Sequence, residues 1–385
     1  MKILYDFQAF SYQNYGGVSN CFVQLIKNLP NDVRYSISIK ESNNIHLLES
    51  NLVNIEEEFF NLDNFFPYLK FNQKVHLYYI LQKRLYKLFP TAYNINMIYS
   101  LKQVENNDFD IFHPTFFDSY FLPYLKKPFV MTIHDMAPEI FNFSKEQIRG
   151  KIKQATRASR IIAVSENTKK DIIRYLNVPE EKIEVIYHGY VPSEVDNHTK
   201  SIIEGPYILY VGDRSIAYKN FSYFTRQIAI FLGSHKEFKM VCTGKEFSKE
   251  ELLMFNNLGI EKKIIHLFCN TSELNNLYVH AFSFVYPSIY EGFGIPILEA
   301  FNANCLVILN KKSCFPEIAK DGALYFDSDN EDKKLSTVLE DVFSMSNSDR
   351  QNLIIKGKNR LKKFSWVKSA EKLSNIYRDI SEGVQ

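Results

Sequence analysis

The sequence predicts an α/β protein of two domains, each a parallel sheet with crossover helices. Three observations carry that prediction. Strand-like and helix-like runs alternate along the chain. At 385 residues it exceeds what one ordinary core organises. Seven of its 14 glycines, at 16, 17, 189, 212, 244, 292 and 294, fall at or just after the expected strand ends. In open parallel sheets that is where backbone must approach a ligand closely.

In order, strands are expected at Lys2–Tyr5, Ile111–His113, Phe129–Ile133, Arg160–Val164 and Ile183–Ile186 in the first half. Helices fall between them, among them Val18–Leu29 and Asn167–Leu176. The polar, proline-bounded stretch Val191–Pro206 reads as a hinge. The second half repeats the rhythm with strands at Tyr207–Val211, Lys239–Thr243, Ile264–Phe268, Phe282–Tyr286, Leu306–Leu309 and Ala323–Tyr325. No tandem repeat or low-complexity tract interrupts it.

Composition narrows the function classes. With 45% hydrophobic and 23% charged residues the chain is globular. Lys plus Arg total 46 against 44 Asp plus Glu, a net +2 that argues against nucleic acid as a partner. Five cysteines with no C-x-x-C pair suit reduced thiols of a cytoplasmic protein, not a disulfide framework or zinc site. "MKILYDFQAF" enters a strand with no signal core, and no apolar run nears the ~20 residues of a membrane span. A soluble or peripherally attached protein is expected.

The stretch "SIYEGFGIPILEAFN" (Ser288–Asn302) reads as a tight glycine loop between a buried strand and a helix. Pro296 suits the first helical turn, where its missing N–H costs nothing. Such a helix N-terminus exposes unpaired N–H groups and favours a phosphate. Glu291 would lie in the loop and Glu299 one turn inside the helix; two solvated glutamates at a structural turn is the plainer alternative. "YVGDRSIAYKN" (Tyr210–Asn220) sets Arg214 and Lys219 past a strand ending at Gly212. They are either solvated surface cations or ligands of a diphosphate, and the helix N-terminus after Gly294 favours the second.

Other candidates are weaker. His134 follows the strand in "MTIHDM", where a packed histidine is the common case. Ser165 stands where a strand meets a helix, and an N-cap accounts for it. "YGGVSN" is a glycine turn entering a helix, but neither G-x-G-x-x-G nor the P-loop pattern is present. Asp108–Asp110 and Asp327–Asp329 have a spacing that can hold a divalent cation, yet neither lies at a strand's ligand end, and both read as structural.

Taken in order, these segments resemble the large retaining glycosyltransferase family of the GT-B fold, which includes bacterial mannosyl- and glucosyltransferases of capsule and O-antigen synthesis. "YGGVSNCFVQLIKNL", "FHPTFF", "MTIHDMAPEIF" and "RIIAVSENTKKDI" resemble its acceptor domain. "YVGDRSIAYKN", "YPSIYEGFGIPILEA" and "FPEIAKDGALYFD" resemble its donor domain, and "FSWVKSAEKLSNIY" its C-terminal helix. The resemblance implies two Rossmann-like domains facing across a cleft: an acceptor domain at 1–195, a donor domain at 196–364, and a helix at 365–385 returning to the first. The stretch from Glu41 to Asn106 matches poorly.

The resemblance also implies roles. Glu291, His134, Arg214 and Lys219 would be catalytic: the first two touch the donor sugar and the cations neutralise the leaving diphosphate. Gly17, Gly212, Phe293, Gly294, Ile295 and Glu299 would complete the donor site, Glu299 on the ribose hydroxyls. The donor would be a UDP- or GDP-sugar carrying a mannose- or glucose-type hexose, with retention by front-face attack. The acceptor would be a glycan or lipid-linked glycan of cell-surface polysaccharide, with no metal and no other cofactor. Two departures stand out: relatives usually carry Gly and Pro where this chain has Asn304 and Leu306, and often Arg at Asn20. A sugar-nucleotide epimerase of the same architecture and a non-catalytic sugar-nucleotide binding subunit are the alternatives. The donor-domain series disfavours the first, and intact Glu291, Glu299, Arg214 and Lys219 the second.

Finally, "FNQKVHLYYILQKRLYKLF" (Phe71–Phe89) has the 3.6-residue period of an amphipathic helix. Leu77, Tyr78, Leu81, Leu85 and Leu88 share one face; Lys83, Arg84 and Lys87 share the other with Tyr79, Ile80 and Tyr86. Either the helix packs on the core, or its basic, aromatic face rests on an anionic membrane at the inner face of the plasma membrane.

Overall fold

The computed structural model describes residues 1–55, 73–74, 77–78, 80, 91–192 and 199–383. Its contacts divide the chain into two units. The first comprises Met1–Val164, Lys169–Tyr187 and Trp366–Gln385; the second comprises Ser165–Thr168 and His188–Ser365. Among the described residues no helix is long and apolar enough to cross a membrane. Of the amphipathic stretch 71–89, Tyr78 is buried while Leu77, assigned to the same inner face, is exposed, as is Ile80. Leu81, Lys83, Arg84, Leu85, Lys87 and Leu88 lie outside the described residues.

The first unit contains β1 (Lys2–Tyr5), β2 (Arg34–Ile37), β3 (Ile111–His113), β4 (Val130–Ile133), β5 (Arg160–Ala163) and β6 (Ile183–Val185). They form two parallel three-stranded sheets, β2-β1-β3 and β4-β5-β6, joined by a bridge between Phe112 and Phe129. Four of these strands, β1, β3, β4 and β5, carry the mostly apolar runs that mark buried parallel strands. β2 was not among the expected strands: it is an edge strand whose polar RYSI leaves Arg34 exposed and buries only Ile37 fully, so no apolar run announces it. The helix Trp366–Ser381 buries Trp366, Leu373 and Tyr377 in this unit's core, beside Ile3, Tyr5 and Phe22. The Tyr377 hydroxyl lies 2.9 Å from that of Tyr5 and 2.5 Å from Nδ1 of His113, whose Nε2 is 2.9 Å from the Thr132 hydroxyl. Burial pushes the His113 imidazole down to about 3, so the ring is neutral and both nitrogens are satisfied.

The second unit contains β7 (Tyr207–Tyr210), β8 (Lys239–Thr243), β9 (Ile264–Leu267), β10 (Ser283–Tyr286), β11 (Val307–Asn310) and β12 (Leu324–Phe326). They form one parallel sheet in the order β12-β11-β10-β7-β8-β9. Numbered from β7 this is the doubly wound order 3-2-1-4-5-6. Ile208, Met240, Val285 and Ile308 supply its core with Phe224, Ile228 and Phe231 from the helix Phe221–Ser234.

In the first unit a buried carboxylate ties the loops after β1 and β3 together. Oδ1 of Asp6 accepts from the Thr115 hydroxyl at 2.6 Å and the Thr115 N–H at 2.8 Å; Oδ2 accepts from the Gln8 amide at 2.7 Å and the Tyr120 hydroxyl at 3.3 Å. Gln8 Oε1 in turn accepts from the Asp118 N–H at 2.8 Å. Burial raises the Asp6 carboxyl from 3.8 to about 6 against the pull of these donors. Between those values the folded state holds a proton that the unfolded chain has lost, so this group's stabilisation is full below 3.8 and is lost as pH rises through 6. Asp6→Asn cannot titrate. The stability of wild type relative to Asp6→Asn should therefore fall by about 2 kcal/mol between pH 4 and pH 6.5 and stay nearly level above. Urea unfolding followed by the fluorescence of the single tryptophan, Trp366, measures this in the unit concerned. A difference that does not vary with pH would refute the assignment.

Candidate active site

The second sheet starts at β7 and is extended from it in both directions, so β7 and β10 are neighbours whose following helices leave on opposite sides. The loops after their carboxyl ends bracket the crevice where such sheets bind ligands. Gly212, just past β7, has φ 142°, and Gly294, past β10, has φ 96°, backbone that a side chain disfavours. A Cβ on Gly294 would also stand 3.1 Å from Ile297 and 3.2 Å from Phe315. Gly294 leads into the helix Ile295–Asn302, which has Pro296 in its first turn and no side-chain cap, so its N-terminal N–H groups face the loop. At its other end Asn304 takes a left-handed φ of 54°; the Cys305 N–H reaches the Ala300 carbonyl at 2.9 Å and the Asn304 N–H that of Phe301 at 3.3 Å. This helix-ending motif favours Gly and tolerates Asn, so Asn304 supports the turn without glycine.

Glu291 and Lys219 come together. Nζ of Lys219 lies 2.6 Å from Oε1 of Glu291, with both side chains largely buried. The same oxygen accepts from the Ser288 hydroxyl at 2.8 Å, and the Glu291 carbonyl accepts from Ser313 at 2.7 Å. The Tyr286 hydroxyl also bonds to Glu291; burial, then this carboxylate, holds that phenol protonated well above its usual range. Glu291 is thus fixed from three strand ends, its carboxylate by residues after β7 and at the end of β10 and its backbone by Ser313, beyond β11.

Arg214 is placed differently. Its guanidinium donates Nε–H to Glu251 at 2.9 Å, Nη1–H to the Thr243 carbonyl at 2.7 Å, and Nη2–H to the carbonyls of Glu246, at 3.1 Å, and Lys245. Four of the five N–H donors are therefore used within the protein. Arg214 ties the loop after β7 to the loop after β8 and is no solvated cation; a cavity of about 390 Å³ opens beside it, lined by Asp213, Phe221, Lys245 and Glu251. Glu299, one turn into its helix, accepts from the Tyr278 hydroxyl at 3.0 Å. Burial raises its carboxyl, and the Tyr278 bond partly offsets that. Phe293 packs its ring on His188 at 4.9 Å and Phe364 at 5.6 Å.

The remaining candidates have local accounts. His134 follows β4 in the first unit with its ring edge-on to Phe22 at 5.8 Å. Burial, then His113 and Lys151, pushes it down to about 3, so it is a neutral imidazole. Gly17 opens the helix Gly17–Lys27, and a Cβ there would meet nothing within 4 Å, so no neighbour in the protein requires a glycine. Ser165 caps its helix, accepting from the Thr168 N–H at 3.0 Å. Asp108 pairs with Lys2 at 2.7 Å, and Asp327 and Asp329 share Lys312 at 3.0 and 2.8 Å. The sequence reading missed Tyr286, Ser288, Ser313, Tyr278 and Glu251. Glu251 had a signal: it closes the capping box with Ser248, whose N–H reaches Oε2 at 2.7 Å. Ser313 and Tyr278 come from distant segments and had none.

Comparison with known proteins is consistent along the chain. The family described as glycosyl transferases group 1 matches residues 193–360, and the one described as glycosyltransferase family 4 matches residues 15–194. The chain is 32% identical over 206 residues to an O-antigen chain mannosyltransferase of Salmonella typhimurium, covering 52% of this chain and 57% of that protein. It is 24% identical over 282 residues to O-antigen chain mannosyltransferase B of Escherichia coli, covering 68% and 72% respectively. Of the first of these relatives the chain thus spans little more than half the length. Among solved structures, the HepE protein of Anabaena in complex with UDP and glucose superposes with a TM-score of 0.71 at 15% identity, over 98% of this chain and 100% of that one. At that identity the likeness shows the fold alone. The strand orders, the ordered segments and these matches agree: residues 193–360 match glycosyl transferases group 1, residues 15–194 match glycosyltransferase family 4, and the chain has the GT-B fold, two α/β domains with parallel sheets.

Proposed function

We propose that the protein is a retaining glycosyltransferase that moves a mannose- or glucose-type hexose from a nucleoside-diphosphate sugar to a glycan or lipid-linked acceptor of a cell-surface polysaccharide. The observation that carries this reading is the 2.6 Å Lys219–Glu291 pair in the loops after β7 and β10, beside an uncapped helix N-terminus. An ammonium has three N–H donors, and Glu291 takes one, which leaves two for phosphate oxygens. The relatives support the class: two are mannosyltransferases of O-antigen chains, and the Anabaena protein was crystallised with UDP and glucose.

On this reading the bond from the sugar's anomeric carbon to the diphosphate oxygen breaks as the acceptor hydroxyl adds from the same face, its proton passing to the departing phosphate oxygen. The leaving diphosphate gathers negative charge, which Lys219 and the N–H groups ahead of Ile295–Asn302 meet with donors already in place. Glu291 holds sugar hydroxyls and Glu299 the ribose. Arg214 acts at one remove, fixing the loop on which Lys219 stands.

Glu291→Ala and Lys219→Ala should each lower turnover on the order of a hundredfold or more, the scale of preorganised electrostatic groups. Release of UDP or GDP from a panel of nucleotide sugars, with and without glycan acceptors, measures it. Near wild-type turnover in both variants would overturn the assignment, and an epimerised donor formed without acceptor would replace it with the epimerase.

No divalent metal enters this scheme, because Lys219 and the helix N-terminus supply the positive charge and both Asp-x-Asp pairs are tied to lysines. Turnover should survive EDTA unchanged. Its complete loss, restored by manganese or magnesium, would instead make one of those pairs a metal site.

A further inference from the structure

The first unit holds a cavity of about 1040 Å³ that the reading above leaves unassigned. Its walls come from the segment after β1, the segment after β3 and the helix Lys145–Arg157. β1 lies between β2 and β3, so the strand order of this sheet reverses at β1 and β3 as it does at β7 and β10 in the other. The cavity therefore occupies the ligand position that parallel-sheet topology provides. Its volume is at the upper end for small-molecule sites, enough for more than one sugar ring.

Aromatic rings with a carboxylate, and a row of cations beside which the exposed Glu146 also stands, line it. On one side stand Tyr12 and Phe116, ring centroids 5.3 Å apart, with Asp118. Tyr12 is 51% exposed and offers a face to the cavity without being part of the core. Oδ1 of Asp118 accepts from the Tyr120 N–H at 3.1 Å and Oδ2 from the Tyr93 hydroxyl. A carboxylate has about four acceptor positions, so two remain. Aromatic faces with an adjacent fixed carboxylate suit a sugar ring, whose C–H face is apolar and whose rim carries hydroxyls.

On the other side Lys145, Arg149 and Lys153 project from one helix face at four-residue intervals. All three are exposed, and their side chains have no ion-pair or hydrogen-bond partner among the described residues. Like charges four apart disfavour a helix, and Lys145 stands at the end where the helix dipole repels a cation. Stability does not account for the row, whereas an anion seated before it does.

We propose that this cavity binds the acceptor and that the acceptor is an anionic carbohydrate. Its sugar ring lies on Tyr12 and Phe116 with hydroxyls on Asp118, and its phosphate or carboxylate lies against Lys145, Arg149 and Lys153. The word acceptor rests on the transfer reaction proposed above; the anionic-sugar site does not. The negative charge comes either from a diphosphate link to a lipid or from an acidic sugar.

Equilibrium binding without donor tests it, with three probes: farnesyl-diphosphate-linked N-acetylglucosamine, a glucuronate-containing disaccharide and a neutral disaccharide. At least one anionic probe should bind wild type tenfold or more tightly than the neutral one, and which one does identifies the source of the charge. The Lys145→Glu/Arg149→Glu/Lys153→Glu variant, confined to exposed positions, should lose that advantage and keep wild-type affinity for UDP or GDP. Tyr12→Ala should weaken every sugar probe. Neutral and anionic probes binding alike, no probe binding, or a triple variant that binds as wild type does would each overturn the inference. If anionic probes bind as expected but neither UDP nor GDP binds wild type, the transfer reading fails and the sugar site stands.

Discussion

A single constraint shapes both units: crossovers between parallel strands are right-handed, so a sheet extended on both sides of its first strand must send successive helices to opposite faces. A gap then opens at the carboxyl ends of the two central strands, and nothing in the sheet fills it. In the second unit the gap lies between β7 and β10, and in the first between β1 and β3. Gly212, Lys219, Glu291 and Gly294 stand on the loops beside one gap, and Tyr12, Phe116 and Asp118 beside the other. The central strands are mostly apolar, and the candidate site residues stand on the segments that follow them.

Loops around a gap need their own ties, and the two units supply them with charge. In the second unit Arg214 spends four N–H donors on Glu251 and three carbonyls, joining the segments after β7 and β8. In the first, Asp6 gathers donors from Gln8, Thr115 and Tyr120 and so joins the segments after β1 and β3. Lys151 and Glu139 form a 2.9 Å pair, almost wholly buried, with the ammonium also donating to the Asp135 carbonyl at 2.9 Å; this fixes the loop after β4. Removing either partner of such a pair would strand a buried charge, which is why these ties hold geometry even where their net contribution to stability is small.

How far this was legible in sequence follows from the same division. Most buried parallel strands are apolar runs, so among the described residues eleven of the twelve strands were placed to within a residue or so, and β2 escaped because an edge strand exposing Arg34 needs no such run. Glycines and the helix-opening Pro296 marked the loop after β10, and Glu291 and Lys219, 72 residues apart, do meet. Reading Arg214 as a companion cation failed to anticipate Glu251, because the capping box marks Glu251 only as a helix-start residue and its contact with Arg214 is tertiary, across 37 residues. The cavity beside Asp118 was invisible for the same reason: its walls come from three separate segments, none of which carries a motif alone.

The two sets of cations also differ in a way that fits opposite tasks. Lys219 already has a carboxylate 2.6 Å away, so a bound diphosphate gains less from it than from a bare ammonium. Interaction that is weak with the ground state and grows as charge develops on the departing group is what accelerates a reaction; equal attraction to both would only tighten binding. On the reading proposed here, a shared ammonium would also release the nucleotide product more readily. Among the described residues Lys145, Arg149 and Lys153 have no such partner, and on the reading proposed here they meet a group whose charge does not change during transfer. Their work is to hold and orient an acceptor, for which uniform attraction is the right physics, and the exposed row gives it at a cost confined to one helix face.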